Sequence, residues 1–338
     1  EIGGFFEWVA QFVVRHARSP RVLLAAVVAL SGLLSALFVN DTICLMLTPL
    51  LIAVVRPLGL PPLPFLIGIA LAANVGSAMT PIGNPQNMLI AVASHISFAR
   101  FVGALALASV GGLVIVFGVL AATYRRALSA PLTRVALLDA PFDRGLVVRS
   151  LVAFGAALVG WLAGFPLPLV AITAAAGLIV IAQRDPSEAF RNVDWPLLLF
   201  FAALFVVMRG ARDLPLVESL TAAAGAQLHG ARPRDAAVTS AAMLVLSNLI
   251  SNVPAVILWL PVVPRVPSPA FVWLVIAMSS TFAGNLTLLG SMANLIVAER
   301  AEVRGVRIPF WDYARVGIPV TVLTIVWGIA TVLVAGPH

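Results

Sequence analysis

Between Arg21 and Arg56 the chain carries one charged residue, Asp41, in a run that is otherwise almost wholly apolar. An ionisable group held inside a bilayer costs about 2.5–3.5 kcal/mol on insertion scales, so its presence marks a functional position by default. A lone carboxylate in that setting can exchange a proton or a cation, and Asp41 is the candidate coupling group. Its bland alternative is a cap on the helix that follows, because Asp near a helix start accepts backbone N–H bonds. The groups that could share the chemistry are uncharged. Ser35, Asn40 and Thr42 flank Asp41, and Thr80, Gly83, Asn84 and Asn87 form a second polar cluster. Ser247, Ser251 and Asn252 form a third, and Thr287, Gly290, Ser291 and Asn294 a fourth. Hydroxyls, amides and freed backbone carbonyls can coordinate a small cation, while the N-termini of broken helices direct partial positive charge at an anion. Cys44, in an apolar arm, reads as packing. No His/Cys metal spacing, nucleophile–base pair, phosphate-binding loop or dinucleotide fingerprint occurs, so an enzyme is not expected.

Those clusters need elements to hold them, and composition says what kind. Of 338 residues, 61% are apolar and 10% charged, and the mean hydropathy is +1.05. Soluble domains are about 45–50% apolar and about 25% charged, so a polytopic membrane protein is the class that remains. One Cys excludes a disulfide framework, and the +7 formal charge comes from arginine alone. Beside a bilayer that excess reads as a topology signal and not as a nucleic-acid footprint.

Apolar stretches lie near 22–55, 63–94, 101–123, 146–164, 167–183, 195–208, 236–264, 270–298 and 314–335. None alternates with period two, so they are helices. Stretches 101–123 and 314–335 are plain spans. Four others carry Gly, Pro, Ser and Asn at their centres, the mark of re-entrant hairpins and discontinuous helices that line a protein cavity. The order repeats. At a spacing of 212, Leu34, Ser35, Leu37, Asn40 and Pro49 match Leu246, Ser247, Leu249, Asn252 and Pro261. At 207, Thr80, Gly83 and Asn87 match Thr287, Gly290 and Asn294. The position matching Asp41 is Val253, so the charge belongs to the first tip alone.

Placing the Arg-rich linker in the cytoplasm puts 15 arginines inside and six (Arg100, Arg209, Arg212, Arg232, Arg234 and Arg265) outside, as the positive-inside rule requires. The first hairpin then opens inward and the second outward. The fold expected is therefore an all-α polytopic membrane protein of two inverted-topology repeats, each with a re-entrant hairpin and a discontinuous helix. Residues 1–123 form the first repeat, 124–145 the cytoplasmic linker and 146–338 the second repeat. The second repeat has three apolar stretches before its hairpin and the first has almost none, so further spanning helices are expected ahead of residue 1.

Asn40-Asp41-Thr42 with Thr48-Pro49, then Asn74-Val75-Gly76-Ser77 and Gly83-Asn84-Pro85-Gln86-Asn87, resemble the ion transporter superfamily. Within it they are most similar to the citrate-transporter-like group that includes arsenical pump membrane proteins and the melanosomal P protein. The resemblance implies a scaffold domain that usually dimerises and a transport domain that moves like an elevator. Related divalent anion–sodium symporters carry Ser-Asn-Thr at both hairpin tips, where this chain has Val39-Asn40-Asp41 and Ser251-Asn252-Val253. The Asp41 form is closer to the arsenite pumps, for which proton coupling is implied. Sodium, as the alternative coupling ion, would be held at Ser35, Asn40 and Gly83. The function expected is secondary active transport of a small anion or oxyanion, in a bacterial inner membrane, by a homodimer with no cofactor beyond H⁺ or Na⁺. A cation antiporter and an anion channel on the same fold are the rival readings.

Overall fold

Local chemistry sets the helix ends. Ser19 opens α2 (Pro20–Leu37) by accepting the Val22 N–H at 3.3 Å, with Pro20 at a position where the missing donor costs nothing. Phe38 and Val39 are extended, so the chain reverses over two residues before α3 (Asn40–Val55) begins. Asn84 caps α5 (Pro85–Ser94) by accepting the Asn87 N–H at 2.9 Å. Ser97 caps α6 (Phe98–Thr123) in the same way.

The computed structural model describes residues 4–131, 142–182 and 195–336, with 187, 191 and 193. Arg134 and Arg184, two of the arginines assigned to the cytoplasmic side, lie outside these residues. Every regular element among the described residues is helical. α1 (Phe5–His16) precedes α2, and α4 (Leu63–Ser77) lies between α3 and α5. The later helices are α7 (Arg144–Leu162), α8 (Leu167–Ala182), α9 (Trp195–Arg212) and α10 (Pro215–Gly225). They continue with α11 (Arg232–Ile250), α12 (Asn252–Trp259), α13 (Pro269–Ala283), α14 (Met292–Glu302) and α15 (Phe310–Ala335).

α2, α6, α7 and α15 are each long and apolar enough to cross a membrane. At 26 residues, α6 and α15 run about 39 Å, beyond the roughly 30 Å hydrocarbon core. The 15-residue α4 and α13 are too short to cross alone. Each stops at an irregular break and resumes as α5 or α14. This is the discontinuous arrangement expected from the Gly, Pro and Asn clusters. A helix apolar on all sides must be surrounded. Accordingly, α4 is buried from Pro64 to Ser77 and α13 from Phe271 to Ala283.

The rest packs around this pair. α2 lies on α4, α11 lies on α13, and α6 runs beside α15. The second hairpin arms cross over, α3 against α14 and α12 against α5. Arg56 Nη2, just past α3, donates to Gly305 O, just past α14, at 3.2 Å. The ends of these two elements therefore share one side of the molecule, as the arginine bias requires. α7 and α8 pair and leave Val148, Val152, Val159, Ile172 and Val180 exposed, an apolar face suited to lipid or to another apolar surface. The protein is thus an all-helical integral membrane protein. α6 ends at Thr123 and α7 begins at Arg144, within the last two residues of the expected linker 124–145.

Candidate functional site

The two hairpin tips and the starts of the two resumed helices converge on one cavity of ≈ 140 Å³. Asn40 and Asp41 reach it from the first tip, and Ser251, Asn252, Val253 and Pro254 from the second. Pro85 and Gln86 begin α5 there, and Ser291 and Met292 stand at the start of α14. Phe200, Phe201 and Leu204 of α9 form an apolar wall. Among the described residues, Asp41 is the one charged residue lining it, and no arginine does. Of the residues expected from sequence, five line this space: Asn40, Asp41, Ser251, Asn252 and Ser291.

The others build its frame. Asn87 Nδ2 reaches the carbonyls of Ser77, Ala78 and Thr80 at 3.2, 3.4 and 3.0 Å, satisfying acceptors that the broken helix leaves orphaned. Asn294 does the same at the second break, donating to Gly284 O at 2.8 Å and Thr287 O at 3.1 Å. Thr80 Oγ1 donates to Ala36 O, and Thr287 Oγ1 to Asn248 Oδ1 at 3.4 Å, so each break is tied to the first arm of its neighbouring hairpin. The Asn40 N–H donates to Gly83 O at 2.9 Å. A methyl group at Gly83 would collide with the Ser77 backbone, which explains why this turn needs glycine. Gly290 is equally crowded, with Asn248 Oδ1 at 2.7 Å from where a Cβ would stand. Thr42 is exposed and does not line the cavity.

Eleven buried side-chain oxygens among the described residues have no hydrogen-bond partner, four of which are Ser35 Oγ, Asn40 Oδ1, Ser247 Oγ and Asn252 Oδ1. These four form the two pairs that the repeat matches, one set per hairpin. Buried polar atoms left without a partner are costly. Ser251 adds strain, with φ 75° and ψ 161° at the second tip. That region suits glycine, and a residue held there costs about 1–3 kcal/mol.

The residue that joins these parts stands in the sequence only within the Asn74-Val75-Gly76-Ser77 motif and not among the expected site residues. Asn74, fully buried in α4, bonds to Asn40, Asn285, Ser291 and Asn294. Thr281 of α13 accepts from Asn84 Nδ2 and Gln86 Nε2, both at 3.3 Å. The available signal was an amide in the last turn of a 15-residue helix that is apolar up to that point. Cys44 is buried, as packing requires. No cluster of three or more His, Cys, Asp or Glu occurs among the described residues.

A family model described as Citrate transporter matches residues 2–274. The silicon efflux transporter LSI3 of Oryza sativa subsp. japonica is 31% identical, over 96% of this chain and 81% of its own length. Inner membrane protein YbiR of Escherichia coli K12 is also 31% identical, over 94% of this chain and 79% of its own. The putative transporter arsB of Dictyostelium discoideum is 24% identical, over 97% and 78%. With its all-helical fold, and with the family match spanning most of its length, the chain belongs to the citrate transporter family.

Proposed function

We propose that the protein is a secondary active transporter of a small anion or oxyanion, carboxylate or arsenite-like, driven by a proton or sodium gradient. The observation that carries this is the cavity where both hairpin tips and both helix breaks meet, with Asp41 as the one charge among its described lining residues. Matching element order in the two halves supports an inverted repeat. Alternating access would then come from a transport domain sliding against a scaffold of α7, α8 and α9, with homodimers formed through that scaffold. Membership of the citrate transporter family and the inner membrane name of one relative support a bacterial inner membrane setting.

Charge narrows the solute. A multiply charged carboxylate would face Asp41 with no arginine among the described lining residues to balance it, a costly arrangement in an apolar setting. A weak oxyacid in its protonated form meets no such penalty. The names of the silicon efflux relative and of arsB support that choice. Asp41 would carry the coupling proton. Cation antiport is the second reading, favoured by the orphaned oxygens of Ser35 and Asn40 on the Asp41 side. The aromatic wall from α9 favours a carrier over an open channel.

Purified protein in liposomes should accumulate arsenite against its gradient, with a rate that saturates as solute rises. Current that stays linear and only downhill would overturn the carrier reading. Uptake of Na⁺ or Li⁺ alone, with no anion or oxyacid moved, would transfer the assignment to cation antiport.

A further inference from the structure

Four helices begin at the cavity, and a helix start carries N–H groups that its own turns cannot satisfy. Folded proteins meet many of them with a capping Ser, Thr, Asp or Asn. α5 is capped in this way by Asn84, whose side-chain oxygen accepts the Asn87 N–H. The other three are not. Val39 precedes α3 and has no side-chain oxygen to offer. Ser251 and Ser291 precede α12 and α14, yet neither side chain accepts from its own helix. Ser291 Oγ donates instead to Asn74 Oδ1 at 3.1 Å. Asp41, Gln86, Asn252, Val253 and Met292 all line the cavity, and among the described residues none of their backbone N–H groups has an acceptor. The same cavity holds an acceptor that lacks a donor. Asp41 is 8% exposed, and its carboxylate makes no hydrogen bond or ion pair among the described residues. The side-chain oxygens of Asn40 and Asn252 are sealed from accessible space, whereas those of Asp41 stay open to the cavity.

We infer that these are two halves of one seat: the backbone N–H groups of the helix starts receive an oxygen of the solute, and the Asp41 carboxylate receives a hydroxyl. The ligand that fills both is a small oxyacid bearing a hydroxyl, since such a group accepts through its oxygen and donates through its hydrogen. Partial positive charge at the helix starts favours the electron-rich side of that ligand. A molecule with acceptors alone leaves Asp41 unmet, and one with donors alone leaves the N–H groups unmet, so either loses affinity. This rests on the cavity being the solute site, and it names the atoms that hold the solute there.

Proline can remove one of these donors without breaking a helix. Met292 is the first residue of α14, a position that tolerates proline, and Ser291 before it is extended, at φ −147° and ψ 144°, as a residue preceding proline needs to be. Met292→Pro deletes the side chain and the N–H, whereas Met292→Ala deletes the side chain alone. Calorimetric binding of arsenous acid to the purified protein in detergent at neutral pH compares them. Met292→Pro should bind about tenfold more weakly than Met292→Ala, the equivalent of one lost hydrogen bond. Boric acid and nitrate test the other half, because both are planar with three oxygens but only boric acid carries hydroxyls. Boric acid should displace arsenous acid from wild type and nitrate should not. In Asp41→Asn the side chain gains an NH₂ that donates, so the preference for boric acid over nitrate should narrow about tenfold. Equal binding by the proline and alanine variants overturns the inference. So does nitrate that competes as well as boric acid, an unchanged preference in Asp41→Asn, or a wild type that binds neither oxyacid. Should Met292→Pro fail to fold, the boric acid and nitrate comparison still decides. Exchange of arsenous acid and citrate across liposomes, measured beside binding, separates the two readings. Citrate exchange by a protein that binds no oxyacid removes the seat and leaves the transporter. Oxyacid binding with no exchange of any solute leaves the seat and removes the transporter.

Discussion

An asparagine has two donors and two acceptor positions to fill, and the broken helices of this protein use that capacity. Each break strands backbone carbonyls where water is scarce, and one Asn per break satisfies them. Removing the Asn87 side chain leaves Ser77, Ala78 and Thr80 without that donor. Asn87→Ala should destabilise the folded protein by about 1–3 kcal/mol, the cost of leaving buried acceptors unmet. Asn294→Ala, which strips Gly284 and Thr287, should behave alike, and thermal melts in detergent read both. These two residues were legible in the sequence because they recur at one spacing, each beside a Gly turn. Asp41 was legible because no other charge occurs in its stretch. Asn74 was not. Its repeat position holds Thr281, and its importance lies in partners more than two hundred residues away that no local pattern names.

At the scale of elements, backbone approach and backbone strain decide what is tolerated. Gly76 of α4 lies directly against the Gly32 backbone of α2, with no room for a methyl group. Gly76→Ala should cost about 1–3 kcal/mol as the helices are forced apart, and should show as a lower melting temperature and a smaller monodisperse fraction on gel filtration. Ser251→Gly works in the opposite direction. It relieves the φ of 75° at the second tip and should stabilise the protein by about 1 kcal/mol, read as a rise in melting temperature. Helix breaks could be foreseen from Gly, Pro and Asn because those residues act locally. Which arm lies on which half-helix could not. The crossing of α3 onto α14 and of α12 onto α5 is chosen by side-chain shape across the whole interior. For the same reason the α9 wall of Phe200, Phe201 and Leu204 was invisible in sequence, where these residues read as one more apolar span.

For the whole molecule, two sets of hairpin and broken helix meet at one cavity, and the charge among its described lining residues sits on one side. That asymmetry is the core of the functional account. A symmetric cage would bind solute alike from either half, whereas on the proposed reading a single buried carboxylate would link solute binding to one proton. Coupling by this route requires Asp41 to titrate and nothing else at the site to replace it. Asp41→Asn preserves shape and most hydrogen bonding, so the variant should fold and melt near wild type while losing coupling. The direct test is proton movement in liposomes loaded with an internal pH dye, with citrate, succinate, sulfate, arsenite, Na⁺ and Li⁺ offered in turn to wild type and to Asp41→Asn. The account predicts a pH change in wild type that depends on an oxyacid or carboxylate solute and vanishes in Asp41→Asn. Solute uptake with no pH change, or an undiminished pH change in Asp41→Asn, would contradict it and leave Asp41 a cap on the second hairpin arm.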